Sequence, residues 1–192
     1  MPPSKNIMEN NPLLAALVSD ALTLGAYRAS VIPTADIELD ASFRKLCEAN
    51  ACGVYGKCWM CPPDVGSIDE LMASVASYDY ALVYQTVSAL EDSYDFEGMQ
   101  AAKKQHYQLS AALRNVFAKQ GVPTALHLGC GGCGVCEVCA KRSGEACRFP
   151  HLALPSLEAY GVNVSKLAAT ASMKYINGQD TVTYFGAVLF RL

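Results

Sequence analysis

The order of elements in this sequence predicts an α/β domain, with α+β as the neighbouring class. The expected architecture is a mixed or parallel sheet with covering helices, from which two cysteine-rich metal-binding loops project. Three observations carry that prediction. Helical and strand periodicities alternate along the chain. The run 81–87 is almost continuously apolar and β-branched, like a strand buried on both faces. Nine cysteines fall into two groups, both in glycine- and proline-rich stretches between elements.

Taken in order, Asn11 is a capping residue and Pro12 suits a first helical position, so a helix opens there with Leu13, Leu14, Leu17, Val18 and Ala21 on one face. Residues 27–32, after Gly25, read as a strand. Ser67 and Glu70 form a capping box ahead of Ile68, Leu71, Met72 and Val75, a second amphipathic helix. The 81–87 strand follows. The clearest helix spans about residues 96–120, where Phe96, Met99, Ala102, His106, Leu109, Leu113, Val116 and Phe117 recur at helical spacing; Gly121 and Pro123 end it. Residues 124–128 read as a strand that delivers the chain into the second cysteine group. Short helices are expected at 156–160 and 165–171, separated by Gly161. Asn177-Gly178 then turns the chain into a last strand at 181–190. No repeat or compositional break divides the chain, so residues 1–192 are read as a single metal-binding domain.

A chain of 192 residues can bury a core without crosslinks. With 52% hydrophobic and 17% charged residues and a net charge of −3, it carries no basic stripe, which argues against a nucleic-acid partner. The glycines near Cys130 lack the Gly-Lys-Ser/Thr ending of a phosphate loop. The apolar stretch 13–24 is broken by Ser19, Asp20 and Thr23. It is too short to span a bilayer and has no cleavage region, so a cytoplasmic protein without a membrane partner is expected. In a reducing compartment an odd number of clustered cysteines points to metal ligands or redox thiols rather than disulfides.

In the second group, Cys130, Cys133, Cys136 and Cys139 follow at two-residue intervals, and Cys147 comes later with Pro150 behind it. Two intervening residues let both thiolates of a pair turn toward one centre. Tetrahedral zinc uses one or two such pairs. Several short steps plus a distant cysteine near a proline is the habit of a four-iron cluster. The preferred ligand set for a [4Fe-4S] cluster is Cys133, Cys136, Cys139 and Cys147, with Cys130 a fifth thiol or part of another site. Gly129, Gly131, Gly132 and Gly134 let backbone N–H groups approach the sulfurs, while Lys141, Arg142 and Arg148 add positive charge that would suit an acidic redox partner protein.

The first group holds Cys47, Cys52, Cys58 and Cys61, with Cys61-Pro62 like the Cys-Pro that closes ferredoxin motifs. Nine cysteines accommodate one cluster or two, with Cys58 or Cys130 the spare. The simpler alternative is that some of these thiols are only small buried side chains. Trp59 and Tyr55 lie in the same loop, for water exclusion or for packing.

The sequence then shows Cys52 with Tyr55-Gly56-Lys57, and Trp59-Met60-Cys61-Pro62-Pro63. Further on come Gly132-Cys133, Cys136, Cys139, Cys147-Arg148-Phe149-Pro150, Pro155-Ser156-Leu157-Glu158-Ala159 and Gly161-Val162-Asn163-Val164. On these residues the chain, from Cys47 to its last strand, resembles a family of small cysteine-rich predicted metal-binding proteins, a domain of unknown function common in anaerobic bacteria and archaea. The resemblance implies metal binding, of an iron–sulfur cluster in an anaerobe, and supplies no reaction. It also implies that Cys58 and Cys130 stand outside the regular ligand positions.

His106, on the apolar stripe, reads as a satisfied core residue; His127 and His151 are weak candidates beside the cysteines. Glu91, Asp92, Asp95 and Glu97 read as a solvated loop. No Ser/His/Asp or paired-carboxylate set is present. The function expected is electron transfer, or an accessory redox role, through a four-iron cluster. The alternatives are a structural zinc module and a cluster-dependent enzyme with an open iron site.

Overall fold

Every neighbouring pair in the sheet runs antiparallel. The computed structural model describes residues 11–122 and 125–192. Among them lie α1 (Pro12–Thr23), β1 (Arg28–Pro33), α2 (Phe43–Glu48), α3 (Ile68–Ala76), β2 (Tyr80–Ala89), α4 (Phe96–Lys119), β3 (Leu126–Leu128), α5 (Val164–Thr170) and β4 (Thr181–Phe190). The strand order is β1-β2-β4-β3. This corrects the expectation of a mixed or parallel sheet. The 34–79 segment leaves β1 at Pro33 and returns beside it, since Pro33 pairs with Tyr80. The β2–α4–β3 crossover does keep β2 and β3 in one direction. The two do not touch, because β4 inserts between them and is antiparallel to both. This is a split βαβ unit.

The misleading signal came from burial. Alternate residues of the central strands enter two different cores. Ala81, Val83, Phe185, Ala187 and Leu189 face one layer with Val75, Leu157 and Leu167. Leu82, Tyr84, Val188 and Phe190 face the other, under Leu14, Leu17, Leu109, Leu113 and Phe117. A strand covered on both faces reads as a continuous apolar run whichever way its neighbours point.

Local signals mostly survive. Asn11 Oδ1 accepts from the N–H of Leu13 at 3.1 Å to open α1. Ser67 Oγ accepts from the N–H of Glu70 at 3.4 Å to open α3. The helix expected at 156–160 is reduced to one tight turn at Glu158–Tyr160. Asp95 is not merely a solvated loop residue: its carboxylate caps α4, accepting from the N–H of Gly98 at 2.7 Å and of Glu91 at 3.1 Å. Pro123 and Thr124, expected to end α4 and open β3, lie outside the described residues. No helix among the described residues is long and apolar enough to cross a membrane.

Candidate metal centre

The two cysteine loops meet at one side of the sheet. The first hangs between α2 and α3. The second follows β3, and the Leu157 N–H donates to Gly129 O at 3.0 Å where that loop leaves the strand. Cys58-Trp59-Met60-Cys61 is a tight turn closed by the Cys61 N–H donating to Cys58 O at 3.0 Å, which sets both thiols on one side. A Cβ on Gly132 would stand 3.6 Å from Cys61 Sγ, so the two loops touch at that point.

One pocket is lined by Cys58, Cys133, Cys136, Cys139 and Cys147, closed over by Trp59, Met60 and Phe149, with Arg148 at its edge. The neighbouring Cys61 thiol, the N–H groups of Met60 and Cys133 and the Cys139 thiol each lower the Cys58 thiol, against a rise from burial. The Cys61 thiol is the largest influence, and Cys58 is lowered to about 5 while Cys61 is raised by that same contact. Burial raises Cys133, against N–H groups of Val135 and Leu154 directed at its sulfur.

Cys61 does not line this pocket, and neither do the three cysteines Cys47, Cys52 and Cys130. Burial pushes Cys130 up to about 12, the Lys103 ammonium opposing and the Glu158 carboxylate adding to the rise. Cys47 is raised first by burial, and Cys52 and Glu158 add to it. Glu158 itself is raised by burial. These three thiols and Glu158 thus form an outlying neighbourhood. Of the two cysteines expected to stand apart, Cys58 enters the pocket and Cys130 does not. His151 lies outside the thiol wall, while His127 and His106 are buried in the core.

Two features have no counterpart among the sequence-based expectations. Tyr107 on α4 donates its hydroxyl to Cys130 O at 3.1 Å and to Gly132 O, holding the start of the second loop. The loops are also laced together: Lys141 pairs with Asp64 and stands 4.2 Å above the Trp59 ring, and Trp59 Nε1 donates to Glu145 O at 3.0 Å. Of the basic residues expected near the cysteines, Lys141 is thus paired, and Arg148 pairs with Glu145 at 3.1 Å. One sequence signal does point to Tyr107: Lys103, Tyr107, Ser110 and Arg114 form a second stripe on α4 beside its apolar one.

The donor set fits a thiolate-bound centre. Five sulfurs share one apolar-walled pocket, and backbone N–H groups point at two of them. The space they line is small, about 20 Å³. Among the described residues no three His, Cys, Asp or Glu side chains already stand in a ligating arrangement.

Fold and site together describe a small protein of helices on an antiparallel sheet, with a two-faced core and a thiol pocket built from two loops. The chain belongs to a family of predicted metal-binding proteins, DUF2284, whose model matches residues 30–190. That stretch takes in both cysteine groups and leaves out α1. Searches of curated proteins and of solved structures gave no match.

Proposed function

We propose that the pocket holds a [4Fe-4S] cluster on Cys133, Cys136, Cys139 and Cys147, and that the protein carries or relays electrons for a redox partner. The observation that supports this reading most is that all four of those cysteines line one pocket. When bound, such a cluster supplies a one-electron couple whose potential follows its hydrogen bonds and solvent exposure. The chain's own groups would set both. The Met60, Cys133, Val135 and Leu154 N–H groups offset thiolate charge, and Trp59, Met60 and Phe149 exclude water. A second centre would draw on the outlying Cys47, Cys52 and Cys130, together with Cys61.

One observation favours structural zinc as the second reading: a space of about 20 Å³ suits a single ion more readily than a four-iron core. Metal and sulfide analysis of oxygen-free protein separates the two. The cluster reading expects brown protein with broad absorbance near 400 nm and about four irons and four sulfides per chain, or about eight of each with a second centre. It also expects Cys136→Ser to lose the metal while Cys130→Ser keeps one centre. Colourless protein containing only zinc ends the redox reading.

A further inference from the structure

The thiol pocket holds one sulfur more than a four-ligand centre uses. Cys58, Cys133, Cys136, Cys139 and Cys147 line it, whereas a four-iron cluster and tetrahedral zinc each take four thiolates. The four later cysteines come from one continuous loop, and Cys58 is contributed by the other. Cys58 is 3% exposed, the one fully buried cysteine among the described residues. Its thiol neighbours that of Cys61, which lies outside the pocket wall.

Local structure joins these two residues. The sequence offers four cysteine pairs at the same spacing: Cys58 with Cys61, Cys130 with Cys133, Cys133 with Cys136, and Cys136 with Cys139. Among the described residues only the first is closed by a backbone hydrogen bond, from the Cys61 N–H to Cys58 O at 3.0 Å. A turn of that kind brings its first and fourth Cα atoms within about 7 Å. A disulfide spans Cα separations of about 4.4–6.8 Å, so the turn already holds the pair within bonding reach. Contacts with the second loop hold the turn in place. Trp59 Nε1 donates to Glu145 O at 3.0 Å, and the Lys141 ammonium lies 4.2 Å above the indole. Cys61 is half-buried, which leaves one side of the pair reachable.

We propose that Cys58 and Cys61 are a redox-active dithiol that exchanges with low-molecular-mass disulfides and closes to a Cys58–Cys61 bond. One sulfur of the pair, as thiolate, attacks a sulfur of the incoming disulfide, breaks its S–S bond and releases one thiolate. The other sulfur then attacks the protein sulfur of that mixed disulfide and releases the second. The pair gives up two electrons and two protons, and the incoming disulfide leaves as two thiols. Cys58 is surplus because Cys133, Cys136, Cys139 and Cys147 hold the proposed centre, and to that extent the assignment rests on that reading. While the bond is closed, Cys61 is withdrawn from any second centre.

Thiol trapping on the full chain, with and without its metal, tests this across mixtures of reduced and oxidised glutathione. After an acid quench, alkylation of free thiols and cleavage by trypsin at Lys57 and Lys103, peptide 58–103 carries Cys58 and Cys61 and no other cysteine. Peptide 120–141 carries Cys130, Cys133, Cys136 and Cys139 at the same spacing and serves as the internal control. Peptide 58–103 should escape alkylation, two hydrogens lighter than its dithiol form, at about tenfold less oxidised glutathione than peptide 120–141 requires. It should return to the dithiol form when reduced glutathione is restored. The proposal is overturned by a peptide 58–103 that stays open to alkylation in every mixture, or that closes no earlier than peptide 120–141. Bound glutathione without closure, or a bond to another peptide, overturns it as well. The natural chain suffices for these measurements, so they do not depend on a variant folding. Cys58→Ser should retain the metal of the proposed centre; its loss would make Cys58 a ligand and overturn the dithiol while metal binding stands. Trapping reports on the pair and metal analysis on the centre, so either can fail alone.

Discussion

Gly134 shows how closely single residues fit the second cysteine loop to the body of the protein. A Cβ there would lie 2.4 Å from Tyr107 Cε2, and the ring cannot easily swing because its hydroxyl is tied to Cys130 O and Gly132 O. Gly134→Ala should destabilise the fold by about 1–3 kcal/mol, read from urea midpoints, and lower the metal retained after reconstitution. Tyr107→Phe keeps the ring and loses both hydrogen bonds, at a cost of about 1 kcal/mol. The core histidines carry a pH signature. Burial, the main cause in each, lowers His106 to about 4 and His127 to about 3. Both fall below the unfolded value of about 6.5, so the unfolded chain takes up protons first as pH falls. Their contribution is full above about pH 7. It is lost as pH drops from about 6.5 toward 4, by up to about 1.4 kcal/mol per pH unit for each histidine. Urea unfolding at neutral and mildly acidic pH checks this, and a flat profile between about pH 6.5 and 5 would count against it. His106 was legible as a core residue from its place on the apolar stripe, though among the described residues only Nδ1 finds a partner, Thr86 Oγ1 at 2.9 Å.

At the scale of elements, the two cysteine loops depend on contacts between them more than on their own turns. Lys141 is the hinge of that lacing, and Asp64 already keeps one oxygen, Oδ2, buried without a partner among the described residues. Lys141→Met should cost about 1–3 kcal/mol by stranding the carboxylate. Adding Asp64→Asn should restore part of that loss, and a double-mutant cycle measures how much. Asp95→Ala should cost about 1–2 kcal/mol by uncapping α4, seen as a lowered thermal midpoint. Element existence was legible where an apolar stripe meets a cap, as in α1 and α3, or a long stripe meets a helix stop, as in α4. The short α2 was not, because none of its residues is buried and so it carries no apolar period. The capping role of Asp95 was not legible either, because it depends on where Gly98 and Glu91 place their N–H groups.

Across the whole molecule, neither core contains a cysteine. The sheet and its covering helices should therefore outlast the metal. Chelation, or replacing Cys133, Cys136, Cys139 and Cys147 together by serine, should leave the far-UV circular dichroism and cooperative unfolding nearly intact. Hydrogen exchange should rise mainly around residues 47–63 and 130–153. Global unfolding on metal removal would sink this expectation and favour a metal that holds the fold together.

The sequence alone determined the elements with strong periodicity, the two cysteine groups and the chemistry of their thiols. These are properties of residues a few positions apart. Tertiary structure decided what depends on distant segments meeting. The last strand enters between β2 and β3 and pairs antiparallel with both, which the sequence hid because a strand covered on both faces gives no sign of its neighbours' direction. Cys58 joins the thiols of the second group while Cys130 stays outside, because the lacing of Trp59, Lys141 and Asp64 sets how the loops meet. His127 bonds Tyr84, whose hydroxyl also meets Ser110, because the fold brings together three residues far apart in sequence.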